Sequence, residues 1–241
     1  MIRVRNLRKK FNNFEALRGI SFEAKEGEVV GLLGENGAGK TTTLRILATM
    51  LKPTSGTAEI NGYDILNDPD KVRGEIGILF GGEVGIYDRL TARENIKYFA
   101  ELNNMDRKTI DRRIDELSDL LGMGEFIDKR VGKFSRGMKQ KVSIARAIVH
   151  DPKVMLLDEP TSGLDVTATR IVHDFIGDCK SQGKVIVFSS HTMSEVEKLV
   201  DRVIIIHKGS IAADGTINEL KQRYGNDNLE EVFIELAGDR Q

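Results

Sequence analysis

The chain has 241 residues, enough for one large domain with a substantial core, and its 36 Lys and Arg against 37 Asp and Glu leave a net charge of −1. That balance argues against a nucleic-acid binder working through a large positive field and leaves only a local patch open, and the single cysteine, Cys179, excludes an intramolecular disulfide and a Cys-only zinc site. With 40% apolar and 30% charged residues, one thiol, no apolar run near the ~20 residues of a spanning helix and no signal-peptide core at Met1–Arg5, the composition reads as globular, soluble and cytoplasmic.

Ile2, Val4 and Leu7 stand among polar residues, and Ile20 to Ala24 alternates with period two, so both stretches read as strands. Val29-Val30-Gly31-Leu32-Leu33 is a short apolar run, the pattern of a buried parallel strand. A glycine-rich turn follows, then Leu44, Leu47 and Leu51 at helical spacing. Thr57 to Ile60 and Ile76 to Phe80 predict further strands. The middle is helical. Thr91-Ala92-Arg93-Glu94 is a capping box, and Ile110, Ile114, Leu117 and Leu121 mark an amphipathic helix that stops at Gly122. From Val154 strands and helices alternate again: strands at 154–157, 185–188 and 203–206, helices at 166–180 and 194–200. This spacing predicts a mostly parallel sheet with helices on its faces, interrupted by a helical insertion over residues 84–145. Residues 216–241, with a short helix and the apolar Val232-Phe233-Ile234, read as a small C-terminal extension.

Gly34-Glu35-Asn36-Gly37-Ala38-Gly39-Lys40-Thr41 fits the phosphate-loop pattern G-x-x-x-x-G-K-[ST], between a predicted strand and a predicted helix. Glycines let backbone N–H groups turn inward around phosphate oxygens, and the helix N-terminus adds a favourable dipole. Lys40 is placed to reach the β- and γ-phosphates and the Thr41 hydroxyl to hold Mg²⁺, with Thr42 behind them in the nucleotide-binding set. Val154 to Leu157 is an apolar strand that ends in Asp158-Glu159. A strand end meeting solvent explains polar residues there. Beside a phosphate loop, Asp158 suits the Mg²⁺ shell and Glu159 suits a general base for a water attacking the γ-phosphorus.

These motifs, with four others, resemble the ABC-type ATPases. Phe134-Ser135-Arg136-Gly137-Met138 is similar to their signature segment, Ser162-Gly163-Leu164-Asp165 to their D-loop, and Ser189-Ser190-His191 to the strand end that carries their switch histidine. Phe11 sits where the family places an aromatic that stacks on adenine. The resemblance spans residues 11 to 191 and implies one ABC ATP-binding domain over 1–241: a P-loop α/β core with an N-terminal antiparallel β part and an inserted helical subdomain. It also implies a mechanism that one copy cannot complete. Two such domains, identical or closely homologous, close head to tail around two ATP molecules. Ser135 and Gly137 of one approach the γ-phosphate held by Lys40, Thr41 and Asp158 of the other, and His191 contacts that phosphate from the side. His191 read alone is an ordinary polar residue at a strand end. His150, His173 and His207 show no metal-ligand spacing and are assigned no role.

One departure stands out. The family's usual glutamine after the strand ending at Phe80 is replaced by Gly81, with Gly82 and Glu83 following. Glu83 could substitute if Mg²⁺ lies between carboxylate and phosphates, and the glycine pair implies a more mobile coupling loop. The stretch from Phe80 through Gly85-Ile86-Tyr87-Asp88-Arg89-Leu90-Thr91 to Asn95 resembles the ATP-binding subunits of sodium-extrusion exporters of the NatA type; drug- and lipid-export subunits share much of this wording. The expected function is therefore an exporter ATPase on the cytoplasmic membrane face, driving separate permease subunits through the region around residues 80 to 95. A non-transport ABC ATPase acting on ribosomes is the rival class. Its members resemble tandem or coiled-coil-bearing chains more than this one, and no nucleic-acid partner is expected.

Overall fold

A computed structural model describes residues 1–80 and 85–237. Gly81, Gly82 and Glu83 lie outside the described residues, as do the last four positions of the C-terminal extension. The chain runs β1 (Ile2–Phe11), β2 (Phe14–Ala24), β3 (Val29–Leu33), α1 (Lys40–Leu47), β4 (Ser55–Ile60), β5 (Tyr63–Asp64), α2 (Pro69–Glu75) and β6 (Ile76–Phe80). Next come α3 (Ala92–Leu102), α4 (Arg107–Leu120), a 3₁₀ turn (Val131–Lys133), α5 (Arg136–Ile148), β7 (Val154–Asp158), α6 (Val166–Ser181), β8 (Val185–Ser190), α7 (Met193–Leu199), β9 (Arg202–His207), β10 (Ser210–Gly215), α8 (Ile217–Tyr224) and α9 (Leu229–Ala237).

Two sheets form. One is antiparallel, in the order β2-β1-β4-β5; the other follows β10-β9-β3-β8-β7-β6 and is parallel from β9 to β6. All five residues of β3 are buried, as the apolar run predicts. Successive side chains of a strand leave by opposite faces, and the central strands divide their residues accordingly. Val29, Met155, Leu157, Ile186, Phe188, Val203 and Ile205 enter one core, shared with the helices of the middle of the chain. Val30, Leu32, Val154, Leu156, Val185, Val187 and Ile204 enter the other, shared with α1 and the antiparallel sheet. Each such fully buried aliphatic or aromatic side chain stabilises the fold by about 1.5–3 kcal/mol.

The register aligns the ends that matter. Leu33 of β3 pairs with Ser190 of β8, and Ser189 of β8 pairs with Asp158 of β7. The segments leaving β3, β7 and β8 thus emerge side by side at the carboxyl edge of the sheet, where open parallel sheets bind ligands.

The capping box at Thr91 is present in full: its hydroxyl accepts from the Glu94 N–H and the Glu94 carboxylate accepts from the Thr91 N–H. One turn on, the fully buried Asn95 ties down the preceding loop. Its amide donates to the carbonyls of Tyr87 and Thr91, and its oxygen accepts from the Tyr87 N–H. At the other end of the chain, Val232-Phe233-Ile234 falls within helix α9, which sends Leu229 and Val232 into the core. Cys179 is buried on α6, and burial pushes its thiol up to about 12.

Candidate active site

The loop from Gly34 to Gly39 joins β3 to α1, and its shape is fixed by close approach. A Cβ on Gly34 would stand 2.4 Å from the Ile206 carbonyl oxygen. Gly39, at φ +116°, would bring one within 2.7 Å of Leu17 Cδ2 and 2.9 Å of the Ala16 oxygen. Gly39 caps α1 without a side-chain hydrogen bond, and no acidic residue stands in the first turn. The helix thus presents N–H groups and a positive dipole end with no capping side chain or acidic residue of its own first turn. Lys40 is 4% exposed and folds back over the loop, its ammonium donating to the carbonyls of Gly34 (2.6 Å) and Glu35 (3.1 Å). Burial lowers its pKa, partly opposed by the charges of Glu159 and Asp158. A buried ammonium at a helix N-terminus is an anion site.

The Thr41 hydroxyl donates to Asp158 Oδ1 at 2.9 Å, and the buried Ser189 hydroxyl donates to the same oxygen at 2.6 Å. Glu159 follows in left-handed backbone, φ +46°, a conformation that costs a non-glycine residue about 1 kcal/mol or more. The backbone is held there by its N–H, which donates to both the carbonyl (3.1 Å) and hydroxyl (3.0 Å) of Ser189. Its carboxylate lies 3.3 Å from Nδ1 of His191, which is exposed just past the end of β8.

A cleft of about 180 Å³ gathers Phe11, Glu35, Asn36, Gly37, Gly39, Lys40, Thr41, Thr42 and Glu159. Ala38 is buried within the loop itself. Asp158 joins the group through Thr41, and His191 through Glu159. Ser135 and Gly137 are not among the cleft's lining residues. Ser135 instead caps α5, its hydroxyl accepting from the Met138 N–H, and Arg136 donates to the Gly163 carbonyl at 2.7 Å. A second cavity of about 260 Å³ lies there, between the start of α5 and residues 160–164. Within one copy, then, the two sets of predicted residues occupy separate places.

The sequence profile of the ABC transporter family matches residues 17–162. The ABC transporter ATP-binding protein NatA of Bacillus subtilis (strain 168) is 47% identical over 220 residues, which is 91% of this chain and 89% of NatA. This chain belongs to the ABC transporter family. Its fold agrees: a solved ATP binding subunit of an ABC transporter superposes with a TM-score of 0.87 at 29% identity, covering 98% of this chain and 99% of that one. A bacterial ABC transporter cassette solved as a dimer gives 0.79 at 27% identity, covering 90% and 98%. The chain is thus an ATP-binding subunit of an ABC transporter and an ATPase.

One residue of this ABC cassette escapes a motif search. Phe14 lines the cleft with Phe11, its register partner across the β1–β2 hairpin, and is 61% exposed. The ammonium of Lys9 stands 4.9 Å from the centre of the Phe11 ring. The signal for Phe14 was an aromatic beside a hairpin turn, legible only once Asn12-Asn13 is seen as that turn. The oxygens of Thr41 and Asp158 are also the hard donors that Mg²⁺ takes. Among the described residues no group of three or more His, Cys, Asp or Glu stands where it could hold a metal ion.

Proposed function

We propose that this chain is the motor subunit of an exporter, working as a pair of cassettes beneath a separate permease, with sodium as the cargo. The observation that carries the motor reading is the convergence of Lys40, Thr41, Asp158 and Glu159 on one cleft, while Ser135 and Gly137 stand outside it. A site so divided is completed by a second copy: the Ser135 and Gly137 segment of one faces the nucleotide of the other. The identity to NatA supports the sodium assignment.

In this reading Phe11 stacks on the adenine ring, and Gly34 to Thr42 wrap the phosphates with backbone N–H groups. The Lys40 ammonium exchanges its loop carbonyls for β- and γ-phosphate oxygens, which relieves the cost of its burial. Thr41 and Asp158 hold Mg²⁺, which when bound neutralises phosphate charge. Glu159 accepts the proton of the attacking water, in a carboxylate orientation fixed by its strained backbone and by His191. His191 donates toward the γ-phosphate.

Coupling to the permease passes through residues 80–95 and the groove beside them. That groove carries partly buried Phe99 and exposed Leu102, with the Arg146 guanidinium stacked 4.3 Å over the Phe99 ring. Among the described residues no helix is long and apolar enough to cross a membrane, so the membrane path belongs to other subunits in this reading. The test is purification of the native complex from solubilised membranes. A multi-span permease should co-purify, and vesicles holding the complex should show ATP-dependent Na⁺ flux. Flux of drugs without Na⁺ would replace the cargo, and recovery with ribosomes would overturn the transport reading.

A further inference from the structure

Behind the turn that carries His191 lies a buried polar chain. Glu195 on α7 is only 7% exposed, yet it is a carboxylate. An unpaired buried carboxylate costs several kcal/mol, so its partners matter. It has two. The Ser190 hydroxyl donates to Oε2 at 2.8 Å, and His173 Nε2 on α6 lies 3.1 Å from Oε1. A carboxylate only accepts, so the His173 proton sits on Nε2. Because Ser190 spends its one proton on Glu195, its lone pairs are free to accept, and the Thr192 N–H donates to them at 3.0 Å. Ser190 thereby brackets residue 191 from both sides. On the other side of that residue, the His191 ring meets Glu159.

We infer that Glu195 and His173 are positioning residues for ATP hydrolysis: through Ser190 they fix the turn that aims His191 at Glu159 and the γ-phosphate. The inference rests on the role proposed for His191. The two helices involved give the chain its reach. His173 lies about two turns into α6, whose N-cap is Asp165, the last residue of the Ser162–Asp165 segment contacted by Arg136. The network therefore joins the helix that starts beside the partner-facing segment to the turn that faces the nucleotide. Ser189, one residue earlier on β8, serves Asp158 and Glu159. Consecutive strand residues point to opposite faces, so Ser189 holds the carboxylates while Ser190 holds the histidine.

The test uses the full chain with saturating MgATP, and reads kcat, KM and melting temperature for His173→Leu, His173→Gln, Ser190→Ala and His191→Ala, with each of the first three combined with the last. Ser190→Ala and His173→Leu should lower kcat about tenfold and leave KM for ATP within roughly twofold, because a misaimed group hurts the reacting geometry more than binding. His173→Gln retains a donor for Glu195 and should recover most of the loss. In the His191→Ala background the same changes should cost nothing further, since coupled residues are non-additive. Ser190→Ala removes a single hydroxyl and tests the chain if His173→Leu does not fold. Wild-type kcat in folded Ser190→Ala and His173→Leu, or an equal extra loss without His191, overturns the inference. Full activity in His191→Ala alone would instead remove the role proposed for His191.

Discussion

Glu159 is the residue whose geometry is hardest to explain without chemistry. A glutamate at φ +46° is in strained left-handed backbone, and two hydrogen bonds from its N–H to Ser189 hold it there. The carboxylate is thereby aimed into the cleft beside Lys40. Glu159→Gln keeps the shape and removes the proton acceptor. It should bind ATP, lower hydrolysis about a hundredfold or more, and accumulate as an ATP-bound dimer in gel filtration. Near wild-type turnover would take the base role from Glu159. Phe14 is a second residue-scale point: it doubles the aromatic surface at the cleft mouth beyond the one ring that the motif supplies.

At the scale of elements, the hinge of the site is the β3–α1 loop, pressed against β2 and β9. Gly39 touches the β2 backbone at Ala16 while turning left-handed into α1. Gly39→Ala should destabilise the protein by about 1–3 kcal/mol in urea unfolding and weaken ATP binding, because both the φ and the clash oppose a methyl group. A loss of only a few tenths would mean that the loop gives way easily. The elements around this loop were readable in the sequence for local reasons. β3, β7, β8 and β9 are each built round a short apolar run, and the Thr91 box carries its own hydrogen-bond logic. What escaped was set by tertiary pairing. β10 has one large apolar residue, Ile211, beside Ala212 and Ala213, and it is a strand because β9 offers its edge. β5 is two residues long. The His173–Glu195 contact spans 22 positions and two helices, and nothing in the residue pattern announces it.

For the whole molecule, the two cores on either side of the parallel sheet fix where charge can be tolerated. His150, just past the end of α5, donates from Nε2 to the Ile76 carbonyl at 3.0 Å, while its buried Nδ1 has no hydrogen-bond partner among the described residues. Burial lowers its pKa, with nearby Lys184 adding to the effect; the Ile76 hydrogen bond and Asp151 oppose it. The unfolded chain takes up this proton near pH 6.5 while the folded chain resists it, so stability present above that pH is lost as pH falls toward the lower folded value. His150→Gln keeps an N–H for Ile76 and should lose less melting temperature between pH 7 and 5 than the wild type. Parallel curves would acquit His150. Packing also has a practical side. The chain's one thiol sits in the core with its ionisation pushed to about 12. To an alkylating reagent at neutral pH the native surface is therefore blank. A single cysteine placed on either cassette face would be the sole reactive handle, and spin or fluorescent probes there could time the approach of two copies without stripping any native residue.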